Sequence, residues 1–161
     1  TQFNLNKKYT YTDVCWLLNW KVEEVSLNIG GYKYDKYTNT YPVFINYDKS
    51  EEVSASIRYE DRFVDQSRLI AISKSQRTIA SDDVDNAIHA EERHILMPLF
   101  VRKNKDDKTS KEFYFLGTIK HNGHLQEFIM PDTDKSAVEI GYHLNTPVEN
   151  NLYEYITERT I

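Results

Sequence analysis

Short segments rich in β-branched and aromatic residues recur along the chain, and turn residues separate them. Segments of this kind favour strands. The strand-like segments are residues 32–38, 42–47, 53–63, 69–72, 95–101, 113–119, 125–130 and 137–144. Because polar turns join several neighbours, such as 95–101 and 113–119, hairpins and largely antiparallel pairing are expected. The recurrence therefore predicts a sheet of about seven strands that curls on itself.

Three stretches carry helix signals instead. Thr12 and Asp13 suit the start of a helix over residues 10–20, where apolar residues recur at helical spacing. Ser81 suits the start of a second helix that reaches about residue 93. Residues 146–149 form a capping box with Pro147 at the first helical position, which predicts a terminal helix through residue 155.

Together these elements predict an α+β domain with a mostly antiparallel, strongly curved sheet or barrel and about three flanking helices. A length of 161 residues suits one compact domain. The first residue is Thr1 rather than Met, so we expect residues 1–161 to be a single domain cut from a longer multidomain protein.

Composition limits the classes of function. The single cysteine, Cys15, permits neither a disulfide framework nor a cysteine-based zinc site, and it suits a reducing cytoplasm. No run approaches the roughly 20 apolar residues of a membrane span. The net charge of −5 argues mildly against a nucleic-acid partner. Because salt screens charges over about 8 Å, a local basic surface can still bind phosphates.

Familiar catalytic patterns are incomplete in this sequence. His89 and Glu91 have the spacing of a nucleobase deaminase, but the paired cysteines that hold its zinc are missing. The sequence has neither a phosphate-binding glycine loop nor a nucleophile elbow. We therefore expect this domain alone to have no catalytic residues, no metal site and no cofactor.

Two segments combine the residue types that bind nucleic acid. The first runs over residues 58–63 and 73–78, and the second is the lysine-rich stretch 102–111. Lysine and arginine supply most of the affinity for phosphates. Aromatic rings stack on bases, and a carboxylate accepts a hydrogen bond from the cytosine amino group. The alternative is a solvated strand and turn with incidental charges.

A series of segments, in order over nearly the whole chain, resembles a domain family found at the C-terminus of restriction proteins. Those proteins carry a phospholipase-D-like nuclease and a helicase motor. The segments that carry the resemblance are 11–20 (YTDVCWLLNW), 31–36 (GYKYDK), 42–47 (PVFINY), 59–63 (YEDRF), 73–77 (SKSQR), 99–103 (LFVRK), 113–117 (FYFLG) and 145–153 (NTPVENNLY). No single segment is decisive, whereas the series is fairly specific.

The resemblance implies a reader of 5-methylcytosine or 5-hydroxymethylcytosine in double-stranded DNA. It also implies a barrel similar to SRA or PUA domains, and in SRA domains the modified base is flipped into a pocket. The parent protein would be an ATP-dependent type IV restriction endonuclease for phage defence, and the partners would be its helicase and nuclease domains. One alternative is a docking domain that couples helicase and nuclease without base specificity. Another is a binder of RNA or single strands.

A flipped cytosine needs two flat walls, an acceptor for its amino group and an apolar niche for the 5-methyl group. Tyr47 and Tyr59 are the candidate walls, and Asp61 is the candidate acceptor. Tyr59, Asp61 and Phe63 alternate along one predicted strand, so they share a face. Phe63 is the candidate lining of the methyl niche. Plain core packing is the alternative for Tyr59 and Phe63.

Contacts to the DNA backbone or groove are expected mainly from the basic and hydroxyl residues around this pocket. Arg77 is also a candidate to fill the gap that a flipped base leaves. The candidate residues are Arg58, Arg62, Arg68, Ser73, Lys74, Ser75 and Arg77, with a second, weaker group of Lys103, Lys105 and Lys108.

Overall fold

The computed structural model describes residues 2–47, 60–103, 111–131 and 133–158. The strands are β1 (Lys8–Tyr9), β2 (Val43–Tyr47), β3 (Arg62–Asp65), β4 (Arg68–Ile72), β5 (Pro98–Lys103), β6 (Phe113–Ile129) and β7 (Ser136–Leu144). The helices are α1 (Tyr11–Leu17), α2 (Asp82–Ile88) and α3 (Asn150–Thr157), with a 3-10 turn at Val22–Glu24. Within the described ranges, none of these helices is long and apolar enough to span a membrane.

The strands form one sheet in the order β2-β5-β6-β7-β4-β3, and β1 pairs with β6 off this path. The pairing of β2 with β5 is parallel, whereas the other strand pairs are antiparallel. The long strand β6 pairs with β5 along its first half and with β7 along its second half. The sheet curls into a half-barrel with three α-helices, so the predicted α+β fold is confirmed.

The pair β2–β5 is covered on both faces. Val43, Ile45 and their neighbours in β5 face a large apolar cluster that also receives α2 and α3. Phe44 and Phe100 point the other way and stack at 5.0 Å between ring centroids. They join an aromatic cluster that α1 closes with the buried Cys15. Successive side chains of a strand point to opposite faces, so these apolar runs fill two cores at once.

The start of α1 differs from the prediction. Thr10, not Thr12, is the residue that caps the helix: its hydroxyl accepts a hydrogen bond from the Asp13 backbone N–H at 3.1 Å. The Asp13 carboxylate accepts in return from the Thr10 N–H at 3.0 Å. This reciprocal capping box needs an acidic or amide side chain three residues after the cap. That spacing identifies Thr10, so the prediction of Thr12 was wrong.

Other predicted boundaries also moved. The predicted capping box at residues 146–149 was wrong, because Glu149 caps α3 and the helix begins at Asn150. Residues 113–119 and 125–130 are not two strands but one, β6, with a bulge around Gly123, which has φ +99°. The predicted hairpin at 32–47 is reduced to isolated bridges before β2. Helix α2 ends at Ile88 rather than near residue 93. Most of the predicted strand 53–63 lies outside the described residues, and its end belongs to β3.

A charged network on the face of the sheet opposite the larger core joins β3, β7 and the bulge of β6. The Arg62 guanidinium donates to Glu139 Oε1 at 3.0 Å, and His124 Nε2 lies 2.9 Å from Glu139 Oε2. Burial alone would raise the pKa of the Glu139 carboxyl. The hydrogen bonds from His124 and Arg62 outweigh burial and hold the pKa below its ordinary value of 4.5.

Replacing Thr10 with alanine should lower the free energy of unfolding by about 0.5–2 kcal/mol, because one N-terminal N–H of α1 loses its acceptor. Chemical denaturation would measure the loss. Thr12→Ala is the matched control, since the Thr12 hydroxyl makes only a long, 3.5 Å contact with the Ser26 carbonyl. Equal losses in the two variants would contradict the capping role of Thr10.

Glu139→Gln should destabilise the domain at neutral pH, and the gap to the wild type should close in acid. A depressed carboxyl pKa contributes stability above the ordinary value of 4.5, and this contribution is lost as the pH falls through the lower, folded-state pKa. Thermal unfolding between pH 7 and pH 3 would measure the gap, with Glu154→Gln on the exposed side of α3 as control. A gap that does not change with pH would contradict the network.

Candidate nucleic-acid interface

A cavity of about 590 Å³ opens between the start of α1, residues 27–31 and the ends of β2 and β5. Its volume lies within the roughly 300–1,000 Å³ of ligand pockets. Its lining combines aromatic rings, one carboxylate, two cations and two glycines. The lining residues are Tyr11, Leu27, Asn28, Gly30, Gly31, Phe44, Asn46, Asp61, Arg102 and Lys111.

Two aromatic rings of the lining are held by the aromatic core. The rings of Tyr11 and Phe44 lie 4.6 Å apart between centroids at 57°. Behind them, Phe44 stacks on Phe100, and Tyr11 also contacts Phe113 at 5.0 Å. Phe44 is 3% exposed and supports Tyr11 from behind, so the Tyr11 ring offers most of the apolar surface, and its orientation is fixed before any ligand arrives.

Asp61 brings the carboxylate to this cavity. It stands directly before β3, and its Oδ1 accepts a hydrogen bond from the Ile72 backbone N–H of β4 at 2.7 Å. The neighbouring Arg62 is tied to Glu139, which fixes the backbone on the other side. An ionised carboxylate has about four acceptor sites, so a ligand's donor can share it with Ile72.

The cations of the lining come from β5 and from the residues before β6. Asn46 and Arg102 are register partners across the parallel pair, and the Arg102 Nε donates to the Asn46 side-chain oxygen. The Arg102 guanidinium also lies 4.3 Å from the centroid of the Phe113 ring. Lys111 adds a second positive charge to the same lining. Although the chain carries a net charge of −5, the mouth of this cavity therefore suits an anionic ligand.

Gly31 shapes the wall opposite these cations. Its φ is +101°, a conformation that residues with a side chain rarely adopt, although an added Cβ would meet nothing within 4 Å. Glycine is therefore required here for its backbone conformation rather than for space. The Gly31 carbonyl accepts from the Phe44 N–H, which joins the wall to β2.

The predicted pocket residues are only partly brought together. Asp61 lines the cavity, whereas Tyr47 and Phe63 are 5% and 9% exposed and belong to the larger core. Their ring centroids lie 5.6 Å apart, and the Tyr47 hydroxyl accepts from the Phe63 N–H at 3.2 Å. Tyr59 lies outside the described residues. The proposed roles of Tyr47, Tyr59 and Phe63 at a base stay predictions.

The predicted backbone contacts on β3 and β4 have partners within the domain. Arg62 bonds Glu139, and the Arg68 guanidinium lies 2.7 Å from the Asp65 carboxylate. Arg58 lies outside the described residues. Arg68 is largely exposed, and ion pairs between exposed side chains contribute little to stability. It can therefore exchange its partner for a phosphate at small cost.

The loop after β4 holds four of the predicted contacts. Ser73 is buried, and its hydroxyl accepts from the Val138 N–H at 2.9 Å and donates to the Lys74 carbonyl at 2.9 Å. Lys74 and Ser75 are exposed. The Arg77 guanidinium donates to Asp83 at 2.9 Å and to the Ser75 carbonyl at 3.2 Å. Ser73 therefore shapes the loop, while its neighbours reach solvent.

The second predicted group is placed differently. Lys103 is 4% exposed, lies 3.6 Å from the Glu158 carboxylate and 4.8 Å from the Tyr155 ring centroid, and so packs under α3. Its phosphate contact stays a prediction. Lys105 and Lys108 lie outside the described residues. The neighbouring Arg102 reaches the cavity instead, because alternate residues of β5 point to opposite faces.

Sequence reasoning did not assign Tyr11, Phe44, Asn46 or Gly31 to the site, and it named Arg102 only as part of the basic stretch 102–111. Because successive side chains of a strand point to opposite faces, Asn46 and Arg102 face away from the larger core. The parallel pairing that sets them side by side had no local signal in the sequence. Among the described residues, no group of three or more His, Cys, Asp and Glu side chains suits a metal ion.

Solved structures with a similar fold are SRA domains. The chain resembles the SUVH5 SRA domain in complex with hemimethylated CG DNA at a TM-score of 0.56 and 10% identity, over 92% of this chain and 94% of that chain. The complex with methylated CHH DNA gives 0.53 and 11%, over 92% and 93% of the two chains. The complex with fully methylated CG DNA gives 0.54 and 9%, over 92% and 93%.

At such low identity, the likeness establishes the fold. A search by sequence finds no match among curated proteins. A family model described as a domain of unknown function (DUF3427) matches residues 3–156. Because the match covers nearly the whole sequence, the chain belongs to the DUF3427 family.

Proposed function

We propose that this chain is a target-recognition domain that binds double-stranded DNA containing 5-methylcytosine or 5-hydroxymethylcytosine. The observation that carries the proposal is Asp61, whose carboxylate lines a 590 Å³ cavity together with aromatic rings and Arg102. The likeness to SRA domains solved with methylated DNA supports it.

The cavity chemistry suits a cytosine that has left the base stack. Its exocyclic amino group would donate to the Asp61 carboxylate, which Ile72 already orients. The base would pack against the Tyr11 ring, which Phe44 supports, since stacking on an aromatic side chain stabilises a bound base by about 1–3 kcal/mol. Tyr59 remains our candidate for the opposing wall. Flipping is favoured because a base cannot reach a recessed carboxylate from inside a duplex.

The surrounding cations suit the DNA backbone. Arg102 and Lys111 would bind phosphates beside the flipped nucleotide, and Lys74 and Ser75 would bind them from the loop after β4. Arg77 would occupy the gap in the duplex or contact its groove. Phosphate contacts position a protein on DNA without reading sequence. Recognition of the cytosine therefore falls to Asp61, and recognition of its 5-methyl group falls to the apolar side chains around the base.

We further propose that the domain works inside a cytoplasmic type IV restriction endonuclease similar to the staphylococcal enzyme SauUSI. The helicase and nuclease domains of the same chain would be its partners, and the recognition domain would need no cofactor. The resemblance of eight segments to such restriction proteins supports this context.

Asp61→Ala should weaken binding to a duplex with one 5-methylcytosine about tenfold to a hundredfold, because a hydrogen bond to a charged group contributes about 1.5–3 kcal/mol. Binding to the matched unmodified duplex should barely change. Titration of the 161-residue chain into both duplexes would measure the ratio. Asp65→Ala, an exposed carboxylate in β3 paired with Arg68, is the control and should keep the preference. Equal loss on both duplexes would remove Asp61 from the recognition site.

Arg102→Ala should weaken binding to methylated and unmethylated duplexes alike and lower the slope of log affinity against log salt by about 1, the effect of losing one phosphate contact. Lys120→Ala is the control, because the Lys120 ammonium lies on β6 beside Glu91.

A wild-type chain that binds neither duplex at low salt would reject the proposed function and favour the docking alternative. Tighter binding to single strands would favour the single-strand alternative.

A further inference from the structure

One tyrosine connects the wall of the cavity with the basic loop after β4. Gly30 and Gly31 line the cavity, and the next residue, Tyr32, leaves it and forms a bridge to Val43 of β2. The Gly31 carbonyl accepts a hydrogen bond from the backbone N–H of Phe44, and Phe44 also lines the cavity. The position of Tyr32 is therefore set by the same backbone that forms the wall.

The Tyr32 hydroxyl joins both ends of the loop 74–83. It donates to the Asp83 carboxylate at 2.6 Å and accepts from the Lys74 backbone N–H at 3.0 Å. Burial, and next the hydrogen bond to Asp83, raise the pKa of Tyr32, so the hydroxyl keeps its proton. One oxygen thus holds the residue where the loop starts and the residue where α2 begins.

Arg77, in the middle of the loop, depends on the same carboxylate. Its Nε lies 2.9 Å from the Asp83 oxygen that receives the Tyr32 hydroxyl. Burial alone would raise the pKa of Asp83, but the hydrogen bonds from Tyr32 and Arg77 outweigh it and lower that pKa. The Lys74 ammonium lies 4.8 Å from the centroid of the Tyr32 ring. The exposed Lys74 and the half-buried Arg77 are therefore both placed by Tyr32 and Asp83.

The Tyr32 ring is itself fixed from behind. It stacks on the buried Tyr41 at 5.5 Å between centroids and 16° between planes. The Tyr41 hydroxyl donates to the Asp83 backbone carbonyl at 3.0 Å. A rigid aromatic pair transmits a displacement rather than absorbing it, because interiors are close-packed.

We propose that Tyr32 is a positioning residue that couples the cavity to the loop: it holds Lys74 and Arg77 where they contact a duplex whose modified base lies in the cavity. The inference rests on the proposed function. Because the Gly30–Gly31 wall and Tyr32 hold the loop in one geometry, a base in the cavity and the DNA beside the loop can be bound together. A duplex whose base stays outside the cavity gains less from this placement, so part of the preference for modified DNA arises away from the base.

Tyr32→Phe removes the hydroxyl and keeps the ring, so it separates the link from the packing. It should weaken binding to the methylated duplex about tenfold and to the unmodified duplex less than about threefold. The expected loss is smaller than the full contribution of one charged and one neutral hydrogen bond, because only part of that contribution reaches DNA binding. Tyr34→Phe is the matched control, because the Tyr34 hydroxyl bonds Asn39 at 2.7 Å and its ring also neighbours Tyr41. That variant should keep the wild-type preference.

A double-mutant cycle with a loop variant, Lys74→Ala with Arg77→Ala, tests whether Tyr32 acts through the loop. In the loop variant, Tyr32→Phe should change the preference for the methylated over the unmodified duplex less than about twofold. General destabilisation by Tyr32→Phe would lower binding equally with and without the loop side chains, so it would not produce this difference. An undiminished Tyr32→Phe effect in the loop variant would overturn the coupling. A loop variant that binds like the wild type would also overturn it, since the loop would then not contact DNA.

Binding of the wild-type chain to the two duplexes distinguishes failure of the Tyr32 coupling from failure of the proposed function. A wild-type chain that prefers the methylated duplex, with a Tyr32→Phe variant of unchanged preference, would overturn the coupling and leave the proposed function standing. A wild-type chain that binds both duplexes equally would overturn the proposed function, and the coupling with it.

Discussion

The parallel pairing of β2 with β5 is the contact on which the rest of this domain depends. It buries Phe44 against Phe100 on one face and aliphatic side chains on the other, so two cores share one pair of strands. The same register sets Asn46 beside Arg102 at the mouth of the cavity. A parallel pair needs a long connection. Here the connection contains β3, β4 and α2, and it thereby carries Asp61 and the basic loop to the site.

Local patterns predicted the class of fold and several elements well. The apolar runs of β2 and β7 and the antiparallel pairing of β5 with β6 depend on residues that are close together in the sequence, which a single chain displays. The bulge in β6 was misinterpreted as a turn, because Asn122 and Gly123 suit both. The cap at Thr10 was missed because Thr12 lies closer to the first apolar residues of the helix. The acidic Asp13, three residues after Thr10, was the sequence signal for a capping box at Thr10.

The site was harder to predict than the fold, for a physical reason. Asp61 could be chosen from its chemistry, as an acceptor among aromatic and basic neighbours. Its companions in the cavity come from α1, the Gly30–Gly31 turn, β2 and β5, and only the packed sheet brings these distant segments together. Tyr47 shows why residue type alone does not identify a base-binding residue. A tyrosine ring suits a base and also suits a core, and here the Tyr47 ring contacts Phe63.

The end of the sheet at β3 has a consequence for aggregation. In the described part of the chain, β3 ends the strand order, is four residues long and loses register between Phe63 and Asp65. A short, irregular edge offers few aligned backbone groups to a foreign strand. Among the described strands, the edge at β3 is thereby protected from edge-to-edge aggregation.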